Sequence, residues 1–208
     1  PFLVCVTSLM TYWYPGVFEV IRTVKAVFPS VPVALGGVYA TLCFEHAKNK
    51  SEADYIIKGD GEIEALKLAD NLSGTKRDYR AVKEVVNTEI EPFYELYPRL
   101  AYAGILTSRG CPFRCTFCAS SILNEKFIRR STDSVINEIA KYVQTFRIKD
   151  IAFYDDALLV DSQNHIVRIL SSVLQNRLKV RFHVPNGLHP RFIDMPLAQL
   201  LWDAGFKT

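Results

Sequence analysis

Long apolar runs are missing from this 208-residue chain. No stretch reaches the ~18 consecutive apolar residues that a membrane helix needs, which argues against a spanning helix. Phe2–Leu9 is apolar but short and has no basic flank before it, so it reads as a buried strand and not as a signal peptide. A strong charge of one sign is also missing: the formal net charge is +3. That is too mild to call for nucleic acid, and no long basic run is present. Disorder is excluded by plentiful aromatics and ordinary glycine and proline. A disulfide framework is missing too. The five cysteines are odd in number, with three inside eight residues and two far away. Such an arrangement does not suit a secreted scaffold and fits a reducing, cytoplasmic setting. There is no internal repeat and no low-complexity tract. The first residue is Pro1 rather than Met, so the stretch is expected to begin inside a longer protein.

What the chain has is alternation. Phe2–Thr7 reads as a strand. Val17, Val20, Ile21, Val24, Val27 and Phe28 recur at helical spacing, after Pro15-Gly16 and up to Pro29. Val31–Leu35 is a strand ending at Gly36-Gly37, and a weaker helical pattern covers about 40–50. Tyr55–Lys58 is a short strand ending at Gly59-Asp60-Gly61, and a helix runs on to about Leu72. This order predicts a parallel sheet with helices on both faces, over residues 1–74. Residues 75–100, irregular and charged with Pro92 and Pro98, read as a surface linker.

A second series starts near Tyr102. It has a strand at Gly104–Thr107 and a loop from Ser108 to about Arg130. A helix follows over about 132–146, with Ser131 or Thr132 as its N-cap. Then come a strand at Asp150–Tyr154, a helix over about 162–175 and a strand at Lys179–Val184. The last helix covers about 196–204 and is closed by Gly205. Three βα units in residues 101–208 match the rate of an eight-unit barrel of about 250 residues. Phe206-Lys207 reads as the lead into a fourth strand.

The sharpest feature is the run Thr107-Ser108-Arg109-Gly110-Cys111-Pro112-Phe113-Arg114-Cys115-Thr116-Phe117-Cys118. It is CxxxCxxC in the loop after a predicted parallel strand, where barrels build their sites. Gly110 and Pro112 bend the chain so that nearby thiols can converge. Thiolates are soft ligands that suit iron–sulfur clusters and zinc. A closed 4Fe–4S cluster takes four cysteines; three leave one iron open to another ligand. Arg109, Arg114, Arg129 and Arg130 either temper a cluster's negative charge or are plain loop charge. Zinc stays open as the alternative, with a histidine as fourth ligand. Yet His165, His183 and His189 lie far along the chain, in no ligand-like spacing.

On these residues the chain resembles the radical S-adenosylmethionine superfamily. The match rests on CxxxCxxC after a first barrel strand, the aromatic before the last cysteine, and the flanks 107–112 and 116–120. The resemblance implies that Cys111, Cys115 and Cys118 hold a 4Fe–4S cluster, whose open iron chelates S-adenosylmethionine. It implies reductive cleavage of that cofactor to a 5′-deoxyadenosyl radical, which takes a hydrogen atom from substrate. Phe117 is implied to shield the cluster and meet the adenine. Tyr154, Asp155 and Asp156, at the second strand end, are implied to meet the methionine amino group; paired acids suit a cationic amine. Their alternative is a helix-entry turn. Asn186, before Gly187, either reaches ribose or substrate or is a simple turn. No residue is assigned as a catalytic acid or base.

Residues 1–74 resemble the later part of a cobalamin-binding domain, found ahead of the barrel in one large branch of that superfamily. The matching residues are Ser8, Met10 and Thr11, then Gly36, Gly37, Val38, Tyr39 and Thr41, then Gly59, Asp60, Gly61 and Glu62. All fall at predicted strand ends on one rim, where glycines let backbone approach a bulky ligand. The branch's Asp-x-His-x-x-Gly motif, which supplies a histidine to cobalt, does not occur in the chain. The alternative is a domain that packs without cofactor. Cys5 and Cys43 read as small core residues.

The expected fold class is therefore α/β: a partial flavodoxin-like sheet of cobalamin-binding type, then a partial radical S-adenosylmethionine (β/α) barrel. The expected function is methyl transfer or rearrangement by the radical route, probing a small-molecule substrate, with cobalamin and with an electron donor such as flavodoxin or ferredoxin. Neither nucleic acid nor membrane is an expected partner. The rivals are a cobalamin-independent, methylthiotransferase-like enzyme, whose front domain needs three cysteines of its own, and a non-catalytic zinc module. The stretch by itself is expected to hold a cluster poorly and turn over little.

Overall fold

The computed structural model describes residues 1–80, 92–124 and 126–208. They divide into two compact units, Pro1–Val86 with Thr116–Glu125, and Asn87–Cys115 with Lys126–Thr208.

In the first unit β1 (Val4–Thr7), β2 (Val33–Gly36) and β3 (Tyr55–Ile56) form a parallel sheet in that order. Val4 pairs with Val33 and Ala34 with Tyr55. Helix α1 (Tyr14–Val27) carries Pro15 in its first turn, where a missing N–H leaves no bond unmade. It packs Phe18 and Ile21, with Val17 and Val24 beside them, against Val33, Leu35 and Tyr39. Val20, Val27 and Phe28 are exposed, so the buried stripe is rotated from the one the spacing predicts. The helix expected over 40–50 is two helices, α2 (Val38–Leu42) and α3 (Phe44–Lys50), broken at the non-helical Cys43. Helix α4 (Gly61–Ser73) ends at the left-handed Gly74. Beyond it Arg77 and Tyr79 close on the buried carboxylate of Asp70, which ties down the start of the segment expected to be a linker. Helix α5 (Ser120–Leu123) packs on α2 within this unit. Cys5 is exposed, which corrects its reading as a core residue, whereas Cys43 is half-buried and packs against the core. Alternation along β1 turns Val4 and Val6 inward and Cys5 outward.

The second unit is built on β4 (Ala103–Ile105), β7 (Asp150–Phe153) and β8 (Arg181–His183), parallel and in that order. Ala103 pairs with Ile151, and Ile151 with Phe182. Phe206 bridges in parallel to Phe182, and Val184 N–H donates to the Thr208 carbonyl at 2.7 Å. The chain after Gly205 thus lies beside β8, as a lead into a fourth strand. Helices α6 (Thr132–Gln144), α7 (Ile166–Gln175) and α8 (Met195–Asp203) cover the sheet. They bury Val135, Ile139, Ile169, Leu170 and Leu201 against Ile151, Phe153 and Phe182. Ser131 caps α6, its hydroxyl accepting from Ser134 N–H at 3.1 Å, and Asp194 caps α8 in the same way. Gly205 is required: its φ is +97°, and a Cβ there meets the Val180 carbonyl oxygen at 2.5 Å. Tyr94, inside the segment expected to be linker, accepts from Gly104 N–H at 3.0 Å and donates to Gly104 O at 3.1 Å. Its phenol covers the free edge of β4.

One element has no counterpart in the sequence reading. β5 (Ser108–Arg109) pairs antiparallel with β6 (Ile128–Arg129), Ser108 against Arg129 and Arg109 against Ile128. Residues 108 and 129 are the two ends of the segment expected to be one open loop.

Candidate functional site

The cysteine segment leaves the carboxyl end of β4 through Leu106 and Thr107, and β5 fixes its first two residues. Arg130 N–H donates to Thr107 O at 3.0 Å on the returning side, next to the β5–β6 ladder. Between the ladder's ends, among the described residues, the backbone is irregular except for α5. None of the three cysteines is in a disulfide; Cys111 is half-buried, and Cys115 and Cys118 are exposed. The Cys118 thiol exchanges hydrogen bonds with Ser120, at 3.3 Å to Oγ and 3.5 Å from N–H. Among the described residues no three Cys, His, Asp or Glu side chains stand together as a metal site. The three thiols lie on one segment of the chain, and the division into two units falls within it, after Cys115. Phe117, next to Cys118 in sequence, is 91% exposed. Phe113 is the packed aromatic of the segment: its ring stacks on Phe192 at 5.9 Å, with the Arg191 guanidinium 4.4 Å from its centre.

At the end of β7 the two acids take different places. Asp156 is exposed, whereas Asp155 is 1% exposed. The Asp155 carboxylate accepts from Thr107 N–H at 3.1 and 3.2 Å, from Thr107 Oγ1 at 2.7 Å and from Ser108 Oγ at 2.5 Å. This buried carboxylate is turned onto the strand end beside it. His165, 3% exposed, lies on the other side, Nε2 at 2.8 Å from Thr107 Oγ1. The threonine hydroxyl has a single hydrogen and gives it to Asp155, so His165 Nε2 is the donor of that contact. Burial pushes the His165 pKa down, and the charge of Arg129 adds to this. Tyr154 and Asn186 do come together, Asn186 Nδ2 donating to Tyr154 O at 2.9 Å.

The arginines flanking the segment are occupied. Arg129 pairs with Asp161 at 2.8 Å, and Arg130 pairs with the buried Glu138 while its Nη1 also donates to Leu106 O at 3.0 Å. Both pin the return of the segment to the barrel unit, so for Arg129 and Arg130 the alternative of plain loop charge does not hold. The remaining histidines are also engaged. His183 contacts Asp150, whose carboxyl is held down at about 2 by hydrogen bonds from Arg181 and then His183. His189 packs on Phe113 and Phe192.

In the first unit the strand-end residues form one rim. Ser8 N–H donates to Gly36 O at 3.1 Å, and Tyr39 N–H to Ser8 O at 3.2 Å. Thr41 Oγ1 donates to Gly37 O at 2.9 Å and accepts from Gly59 N–H at 3.0 Å, joining the second loop to the third. Ser8, Thr41 and Tyr39 are buried, and the Tyr39 phenol meets His46 Nδ1 at 2.7 Å beneath the rim. Their side chains shape the rim from below. Met10, Thr11, Gly36, Gly37, Val38, Gly59, Asp60, Gly61 and Glu62 are the partly or fully exposed members. Gly59 and Gly61 border open space: a Cβ on either meets nothing within 4 Å.

No protein-family model matches the chain. It is 26% identical over 193 residues to an uncharacterised methyltransferase of Pyrococcus horikoshii, covering 80% of this chain and 42% of that protein. It is 26% identical over 187 residues to the anaerobic magnesium-protoporphyrin IX monomethyl ester cyclase of Cereibacter sphaeroides, covering 73% of this chain and 30% of that one. The chain thus spans less than half the length of these curated relatives. Among solved structures it superposes on the radical S-adenosylmethionine methyltransferase TsrM of Kitasatospora setae, determined with cobalamin and a 4Fe–4S cluster bound. The TM-score is 0.79 at 21% identity, over 100% of this chain and 48% of that one. The superposition establishes the fold: a partial flavodoxin-like sheet followed by a partial barrel. Over its whole length the chain thus shares the fold of a radical S-adenosylmethionine methyltransferase, and in sequence it is similar to a methyltransferase and to a cyclase.

Proposed function

We propose that these residues belong to a radical S-adenosylmethionine enzyme in which Cys111, Cys115 and Cys118 hold a 4Fe–4S cluster. The observation that carries this reading is three cysteines, none in a disulfide, on one segment launched from the carboxyl end of β4 and closed at its base by β5–β6. The donor set fits such a group: soft ligands, three in number, on backbone free of regular structure around each thiol. When bound, the cluster and S-adenosylmethionine supply a one-electron cleavage that gives a 5′-deoxyadenosyl radical. The chain's own residues bind and orient. Asp156 and the Tyr154–Asn186 pair offer acid and amide groups at the neighbouring strand ends, suited to an amine and to ribose hydroxyls. Phe117 places an apolar ring beside Cys118 that keeps water from a bound thiolate.

The rim of the first unit supports cobalamin as a further cofactor, because two of its glycines, Gly59 and Gly61, border open space just past the end of β3. The relatives support methyl transfer, or ring closure and rearrangement, on a small molecule. An electron donor such as flavodoxin or ferredoxin is then needed, and a reducing cytoplasm is the setting. Among the described residues no helix is long and apolar enough to cross a membrane.

The test is anaerobic purification of the full-length protein and reconstitution with iron and sulfide. About four irons per chain and a broad absorbance near ~400 nm are expected, lost when the three cysteines are changed to alanine. One zinc per chain and no sulfide overturns the reading.

A further inference from the structure

The chain His165–Thr107–Asp155 is buried, linked by hydrogen bonds and assigned no part in the chemistry above. It joins three places far apart in sequence: the end of β4, the end of β7 and the turn that precedes α7. Its focus is the two residues from which the cysteine segment departs. Asp155 takes Thr107 by both backbone N–H and hydroxyl, and Ser108 by its hydroxyl. Ser108 is also the first residue of the β5–β6 ladder. Gly110 and Cys111 follow directly. A generic core does not need a carboxylate here, because an apolar side chain fills such a position without desolvating a charge. What the carboxylate adds is direction, since its acceptor sites are met only when the strand end turns one way.

We propose that Asp155, Thr107 and His165 are positioning residues that fix the departure of the cysteine segment from the barrel. This rests on the ligand role proposed for Cys111. Asp155 holds Thr107 and Ser108, and His165 holds the Thr107 hydroxyl so that its hydrogen points at Asp155. The direction of the chain at Arg109–Cys111 follows from those contacts and from the ladder. Asp155 then serves the site from behind, and Asp156 is the acid left at the strand end.

The discriminating variants are Thr107→Val, which keeps the shape and removes the hydroxyl, and Thr107→Ser, which restores it. The first readout needs no cluster: hydrogen exchange at residues 107–110 and the alkylation rate of Cys111 in the metal-free chain. T107V is expected to lose about tenfold in amide protection there and to speed alkylation by a similar factor, as one lost buried hydrogen bond allows. T107S and wild type are expected to agree, and protection in α6 and α7 is expected to stay unchanged. Asp155→Asn, which leaves one carboxylate oxygen's worth of acceptors, is expected to lie on the T107V side. The second readout is cluster loading of the full-length protein, expected to fall about threefold in T107V and recover in T107S. Unchanged exchange and alkylation in T107V overturn the positioning role. So does a loss spread evenly over the unit, which marks mere destabilisation. If wild type takes up no iron while the exchange pattern holds, the cluster reading fails and the anchor stands.

Discussion

A methyl group at residue 37 has nowhere to go. Gly37 has φ +93°, and a Cβ there meets Ser8 O and Thr7 Oγ1 at 2.6 Å. Gly37→Ala is therefore expected to destabilise the first unit by about 2–4 kcal/mol, read by thermal or urea unfolding. Gly59→Ala, with φ +78° and open space around it, is expected to cost only about 1 kcal/mol. A reversed order shows that the close approach of Thr7 and Ser8 to Gly37 is not what holds the rim. His165 gives a pH dependence. Its folded pKa is lowered, first by burial, so the unfolded chain takes up the proton before the folded one does. Its share of stability is complete above the ordinary value of about 6.5 and declines as pH falls from there toward the lower folded value. Melting temperatures of wild type are expected to drop more between pH 7 and 5 than those of His165→Gln; parallel curves refute this assignment. At this scale the sequence showed which types of residue stand at strand ends, because strand ends follow from alternation. It did not show that Asp155 turns inward. That depends on Thr107 and Ser108 arriving from a strand whose neighbour is set by tertiary pairing alone.

Elements with a period were legible, and elements without one were not. α6, α7 and α8 carry apolar residues at helical spacing, and each lies where that spacing puts it. A two-residue ladder such as β5–β6 has no period to detect, so the closed base of the cysteine segment was hidden. The rotation of α1 was hidden for another reason. Val20 and Val27 fit the stripe as well as Phe18 does, and only the shape of the sheet beneath selects among them. Tyr94 was hidden because its partner is backbone. Its phenol both donates to and accepts from Gly104 on the free edge of β4. Tyr94→Phe removes both bonds and leaves the ring's packing on Tyr142 in place. The expected loss is about 1–2 kcal/mol, with faster exchange of the Gly104 amide. An unchanged Gly104 amide indicates that the edge of β4 is protected by something other than this phenol.

For the molecule as a whole the open matter is what the first unit is for. The Asp-x-His-x-x-Gly motif is not in this chain, so no histidine of that motif reaches cobalt from these residues. What the chain does hold is the rim, and Gly61 probes it cleanly. Gly61 opens α4 with an ordinary φ, and a Cβ on it meets nothing within 4 Å. A large side chain there extends into the space above the strand ends and disturbs no packed neighbour. Gly61→Trp in the full-length protein is therefore expected to keep its melting temperature within about 2 °C of wild type, since surface changes away from packed features move stability by a few tenths of a kcal/mol. A ligand as bulky as cobalamin lying on that rim meets the indole directly. Cobalamin retained through purification, measured by its visible absorbance, is expected to fall by about tenfold, the effect of a ~1.4 kcal/mol clash. Iron and sulfide content is expected to stay at the wild-type level, because the three cysteines lie elsewhere in the sequence. Full cobalamin retention in G61W places the corrin away from this rim. Cluster loss in the same variant indicates instead that the substitution damages folding, and the two outcomes are separated by the melting temperature.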